Sequence, residues 1–107
     1  MYKTISVDGK ELGFVANAAT PFRFKQIFGR DLLQILGDEK KAENEGVEAV
    51  TELAFIMNKQ AEKADMNKLS YEEFLNWLED FGAMAFINSA EEILGVYMDS
   101  TLGTSTP

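Results

Sequence analysis

The sequence predicts an α+β fold: a short N-terminal β-hairpin over residues 1–16, then a mostly α-helical domain of four to five helices over residues 20–98. Three observations predict it. Asp8-Gly9 stands between two alternating segments, and both positions of that dipeptide suit the left-handed backbone of a two-residue hairpin turn. From Phe22 to Tyr97 apolar residues recur at three- and four-residue steps, the helical period. Helix-start signatures stand at Thr20-Pro21, at Asp31 and at Ser70-x-x-Glu73.

Each element follows from its residues. Tyr2 to Val7 places Tyr2, Thr4 and Ser6 on one face and Lys3, Ile5 and Val7 on the other. Lys10 to Ala16 returns with Leu12, Phe14 and Ala16 sharing a face. Two strands alone are marginal, so the hairpin must pack on helices or pair with another chain, and both of its edges are pairing sites. Thr20 is the expected N-cap of a first helix, with Pro21 at the position where its missing N–H costs nothing. That helix carries Phe22, Phe24, Ile27 and Phe28 and stops at Gly29. Asp31 then caps Leu32 to Leu36, closed by Gly37.

Asp38 to Gly46 is charged and reads as a loop. From Val47 the helical period returns through Val50, Leu53, Ala54 and Met57 and runs to about Ala64, with Phe55 and Ile56 flanking it. A short connection, Asp65 to Lys68, leads into the capping box at Ser70 and Glu73. The stretch from Leu69 to Tyr97 holds much of the aromatic mass, so the chain is expected to be organised around it. Tyr71, Phe74, Leu75, Leu78 and Phe81 share a helical face that Trp77 widens. Ala83, Phe86, Ile87, Ala90, Ile93, Leu94 and Tyr97 form a second set, and Gly82 between them breaks or bends the helix. Residues 1–98 read as one domain and 99–107 as a flexible polar tail.

Composition narrows the function. The 107 residues, 46% of them hydrophobic, suffice for one modest core. A net charge of −8 argues against nucleic acid or an anionic membrane surface as a partner, since both need clustered Lys and Arg. No cysteine is present, which excludes disulfides and thiolate metal sites. No histidine is present, which removes the commonest general base and zinc ligand. Without a basic stretch leading into an apolar run, no secretory signal is expected, and no stretch is long and apolar enough for a membrane span. The chain is expected to be soluble and intracellular.

Nothing in the sequence assembles catalytic chemistry. Ser70, Ser89 and Ser100 lack a base, and Gly9, Gly13, Gly29 and Gly37 do not form a phosphate loop, so no enzyme and no cofactor are expected. The carboxylate pairs Glu72/Glu73, Glu79/Asp80 and Glu91/Glu92 read as solvated helix faces. Asp65 to Phe74 has the outline of the second half of a calcium loop. Aligned so, Ala64 and Met66 fall where ligands are required and Asn67 replaces the turn glycine, so no metal is expected. The aromatic residues carry the remaining signal. Most belong in the core, and some can form an interface; Phe22, Phe24, Phe28, Trp77, Phe81 and Phe86 are the candidate partner contacts.

The order of segments resembles a known family. It comprises the hairpin, Asn17-x-x-Thr20 leading into Phe24-Lys-Gln-Ile-Phe-Gly-Arg-Asp-Leu-Leu, an acidic linker, Glu52-Leu-Ala-Phe-Ile-Met, Ser70-Tyr-Glu-Glu-Phe-Leu-Asn-Trp-Leu and a final amphipathic helix. This is similar to the tail assembly chaperones of long-tailed bacteriophages and prophages of Gram-positive hosts, over about Ile5 to Tyr97. The resemblance implies a non-enzymatic protein that binds and solubilises the tape measure protein and helps recruit tail tube subunits. It also implies weak self-association and a place in the host cytoplasm but not in the finished virion. Many members exist in a short form and a frameshifted longer form, and the polar end of this chain suits the short one. The competing readings are a small structural or connector protein retained in the virion and an acidic inhibitor that mimics DNA.

Overall fold

The structure is a computed structural model and describes residues 2–101. The α+β fold is as the sequence predicts, with six α-helices after the hairpin rather than four to five. Strands β1 (Tyr2–Val7) and β2 (Lys10–Val15) pair antiparallel, with Val7 opposite Lys10, Ile5 opposite Leu12 and Lys3 opposite Phe14. Asp8 (φ 55°) and Gly9 (φ 80°) supply the two left-handed residues of the turn. Ile5, Val7, Phe14 and Ala16 are buried, as the alternation requires.

The turn is held by the distant chain. The Gly82 N–H donates to Asp8 Oδ2 at 3.0 Å. Lys10 Nζ donates to the Asp80 carbonyl and lies 4.8 Å from the Phe81 ring centroid.

Helix α1 (Thr20–Phe28) ends on Gly29, whose φ of 71° directs its N–H to the Lys25 carbonyl. Thr20 is not its N-cap. The Thr20 hydroxyl is buried and accepts hydrogen bonds from the Asn17 N–H (3.0 Å) and from Gln60 Nε2 (3.0 Å), so it ties the helix to the core instead. Asp31 does cap α2 (Leu32–Gly37), accepting from the Leu33 and Gln34 N–H groups.

The largest departure from the sequence reading is at residues 38–46. They are not a loop. Helix α3 spans Glu39–Ala61, 23 residues, and Gly37 stays inside α2 while Asp38, in extended backbone, makes the bend. Asp38 Oδ1 accepts the N–H groups of Lys40 (2.9 Å) and Lys41 (3.1 Å), and Glu39 favours the positive end of the helix dipole. The Glu-Lys-Lys-Ala-Glu run consists of good helix formers. It lacks apolar periodicity because this end of α3 projects into solvent.

The fold is organised around α3, not around Leu69–Tyr97. Helix α3 packs against β2, α1, α2, α4, α5 and α6. Ala49, Leu53, Ala54, Phe55, Ile56 and Met57 are all buried, which covers every side of the helix. A helix enclosed in this way loses a single apolar stripe, and that blurred its period. Its end is Ala61, three residues before the expected one, where Lys63 turns left-handed (φ 57°) and Ala64 N–H returns to the Lys59 carbonyl.

After a 3₁₀ turn (Met66–Lys68), α4 (Tyr71–Leu78) begins on Ser70, whose Oγ accepts the Glu73 N–H at 3.2 Å. The chain breaks between Leu78 and Ala85, with Gly82 in the break, and continues as α5 (Ala85–Asn88) and α6 (Ala90–Thr101). Residues 99–101, expected in the polar tail, are helical, and the rest of that expected tail, residues 102–107, lies outside the described residues. No helix among the described residues is long and apolar enough to cross a membrane.

Candidate protein-binding surface

The six candidate aromatic residues separate by position. Phe24 and Phe86 are buried and cannot meet a partner; Phe28, Trp77 and Phe81 are half-buried; Phe22 is 76% exposed. Phe24 and Phe86 fill the centre because each lies on the helix face turned toward α3. All but Phe22 belong to one seam of rings in contact. Phe24 meets Phe28 (5.2 Å between centroids), Phe28 meets Phe74 (5.1 Å), Phe74 meets Phe55 (5.4 Å) and Phe55 meets Trp77 (5.4 Å). Trp77 in turn meets Phe86 (5.0 Å), and Phe86 meets Phe81 (4.9 Å). Edge-on and tilted geometries of this kind are the favourable ones for aromatic pairs. The seam joins α1, α3, α4 and α5, so it is mainly structural.

An apolar surface centres on Val47, which is 50% exposed on α3. Two clefts meet there. One, of about 220 Å³, runs between α3 and α6 over Leu36, Gly46, Val50, Ala90 and Leu94. The other, of about 250 Å³, continues over Thr51, Leu78, Phe81 and Ile87. Gly46 helps to open the first, because no atom lies within 4 Å of where its Cβ would stand. Ile87, which lines the second cleft, is exposed, and so is Met84 nearby in sequence. The sequence reading missed this surface by assigning Gly46 and its neighbours to a loop; glycine beside valine in a run of helix formers was the available signal.

Polar groups tie α3 to the elements around it. Asn58 is buried and donates Nδ2–H to the Gly13 carbonyl (2.9 Å) while its Oδ1 accepts the Trp77 indole N–H (3.1 Å). Gln60 Nε2 donates to the Val15 carbonyl (2.6 Å) and to Thr20, and its Oε1 accepts from Arg23 (3.0 Å). Arg30, in the link between α1 and α2, pairs with Glu45 (2.9 Å), Glu48 (3.2 Å) and the buried Glu52 of α3. Its guanidinium also lies 5.9 Å from the Phe24 ring centroid.

Glu72, Glu73, Glu79, Asp80, Glu91 and Glu92 are all exposed, as solvated helix faces are. Asp65 spends its side chain on the Asn67 N–H at the 3₁₀ turn. Among the described residues no group of three or more His, Cys, Asp or Glu could hold a metal ion. No protein-family model, curated protein or solved structure matches the chain.

Proposed function

We propose that this chain is a non-enzymatic tail assembly chaperone. It binds and solubilises the tape measure protein of its phage or prophage, helps recruit tail tube subunits, acts in the host cytoplasm and leaves no copy in the virion. The observation that carries the reading is the pair of clefts meeting at Val47. A long apolar strip over Leu36, Val47, Leu94 and Ile87 suits the apolar face of an amphipathic partner helix. The net charge of −8 keeps such a complex dispersed. The resemblance in the order of segments described above supports the family.

Co-expression with the tape measure protein of the same genome tests the reading. The partner is expected to become soluble and to co-elute with the chain, and Val47→Asp is expected to abolish both while the chain stays folded. A partner that remains insoluble beside well-folded wild-type chain refutes the reading. Recovery of the chain from purified virions would instead favour the structural or connector protein.

A further inference from the structure

The two edges of the hairpin are treated differently. A two-residue turn closes on a hydrogen-bonded pair, here Val7 with Lys10, and hydrogen-bonded and non-bonded pairs then alternate along the strands. The backbone groups of Lys3, Ile5 and Val7 therefore face β2, and those of Tyr2, Thr4 and Ser6 face outward. On β2 the outward groups are those of Glu11, Gly13 and Val15.

Helix α3 covers that second edge: Asn58 takes the Gly13 carbonyl and Gln60 takes the Val15 carbonyl. No hydrogen bond reaches the outward groups of Tyr2, Thr4 and Ser6 among the described residues, and all three residues are exposed. An unpaired strand edge is a template for another strand unless charge, proline or a bulge blocks it. β1 has no proline and pairs with β2 without a bulge. Its only charged residue is Lys3, whose backbone groups face β2 and not the open edge, and it has no acidic residue, in a chain with 18 of them.

We infer that the outer edge of β1 pairs with β1 of a second copy of this chain, antiparallel about Thr4, to give a continuous four-stranded sheet. Register selects the partner. Pairing about Thr4 sets Thr4 opposite its own copy and Tyr2 opposite Ser6 of the other chain, so every outward N–H and C=O of the strand is used. It also sets Lys3 opposite Ile5. Shifting the axis to Lys3 would place two like charges face to face, which is unfavourable, and would leave Ser6 unpaired. Shifting it to Ile5 would leave Tyr2 unpaired. A threonine pair at the axis is among the favourable cross-strand pairs. The area involved is below the roughly 1,000 Å² of a stable interface, so association depends on concentration. The inference does not rest on the chaperone reading.

Cysteine cross-linking tests it, helped by the absence of native cysteine. In the proposed register the Thr4 Cα atoms stand about 5.5 Å apart, within the range of about 4.4–6.8 Å that a disulfide spans. The Ser6 Cα atoms stand roughly 14 Å apart, beyond it. Thr4→Cys is expected to form oxidised dimer at least about tenfold faster than Ser6→Cys. In sedimentation near 1 mM the wild-type chain is expected to exceed the monomer mass, and Thr4→Pro to lose that association. The Thr4 N–H faces outward, so the proline removes no bond within the hairpin. If Thr4→Pro does not fold, the cysteine pair decides. A wild-type chain that stays monomeric throughout, or equal cross-linking at the two positions, overturns the inference.

Discussion

Arg30→Ala tests the ionic frame most directly. The Glu52 side chain is only 4% exposed and its charge is compensated by Arg30, itself 25% exposed. Removing the guanidinium leaves a carboxylate buried against the α1–α2 link without a cation. Losing one partner of a buried pair typically costs about 3–5 kcal/mol. The partial exposure of Arg30 places this site at the lower end, about 3 kcal/mol. That is a large share of the roughly 5–15 kcal/mol by which a domain of this kind is stable. It corresponds to a fall in Tm of roughly 10–20 °C. Urea titration followed by circular dichroism measures the effect, and a double-mutant cycle with Glu52→Gln isolates the pair. The double variant is expected to recover at least about 1 kcal/mol relative to the sum of the single changes. The effect should also persist at 1 M salt, where exposed pairs such as Lys59–Glu62 are screened. A cost below about 1 kcal/mol, or an additive cycle, refutes the buried-pair argument.

Other predictions follow from single atoms. Asn58→Ala leaves the Gly13 carbonyl and the Trp77 indole N–H without their partners. It should cost about 3 kcal/mol in urea titration and shift the fluorescence of Trp77, the sole tryptophan of the chain. Burial, helped by the nearby Asp31 carboxylate, raises the Tyr97 phenol above its ordinary value, and its hydroxyl has no hydrogen-bond partner among the described residues. The folded chain therefore keeps this proton to higher pH than the unfolded chain. The stability it contributes is present below about pH 10 and is lost as pH rises through the raised folded value. Tyr97→Phe should be neutral or stabilising by up to about 1 kcal/mol at neutral pH, and should blunt the loss of Tm near pH 11. Gly46→Ala should raise stability by about 0.5–1 kcal/mol, because the added methyl meets nothing. The same methyl narrows the cleft and should weaken capture of the partner.

What the sequence made legible depended on how local the signal was. Asp8-Gly9, Gly29, Asp31 and Ser70 act through backbone groups within four residues, and each does what its residue type implies. Thr20 misled because its hydroxyl is claimed by Gln60, forty positions away. The first turns of α3 were hidden because they have little to bury, and its middle because it is buried on every side; neither leaves a one-sided apolar period. The aromatic candidates were identified as one group because their spacing is helical in every case. Only the arrangement around α3 separates the exposed Phe22 from the buried Phe24 two residues later.

That arrangement divides α3 by task. Toward its C-terminal end Asn58 and Gln60 spend buried amides on β2, which fixes the hairpin and closes one of its edges. In the N-terminal half Gly46 and Val47 leave the helix less stable than alanine would make it, and leave an apolar cleft open. A ligand that binds only the folded state adds RT ln(1 + [L]/Kd) to stability, about 2.7 kcal/mol at a hundred times Kd. A partner helix seated over Val47 would therefore stabilise the half of α3 that is intrinsically weaker, while the hairpin end needs no such help. Hydrogen exchange can read this directly. Amides of residues 40–47 should exchange fastest within α3 in the free chain and gain most protection in the complex, whereas those of residues 53–58 should change little. Uniform protection along the helix would mean that the two halves act as one unit.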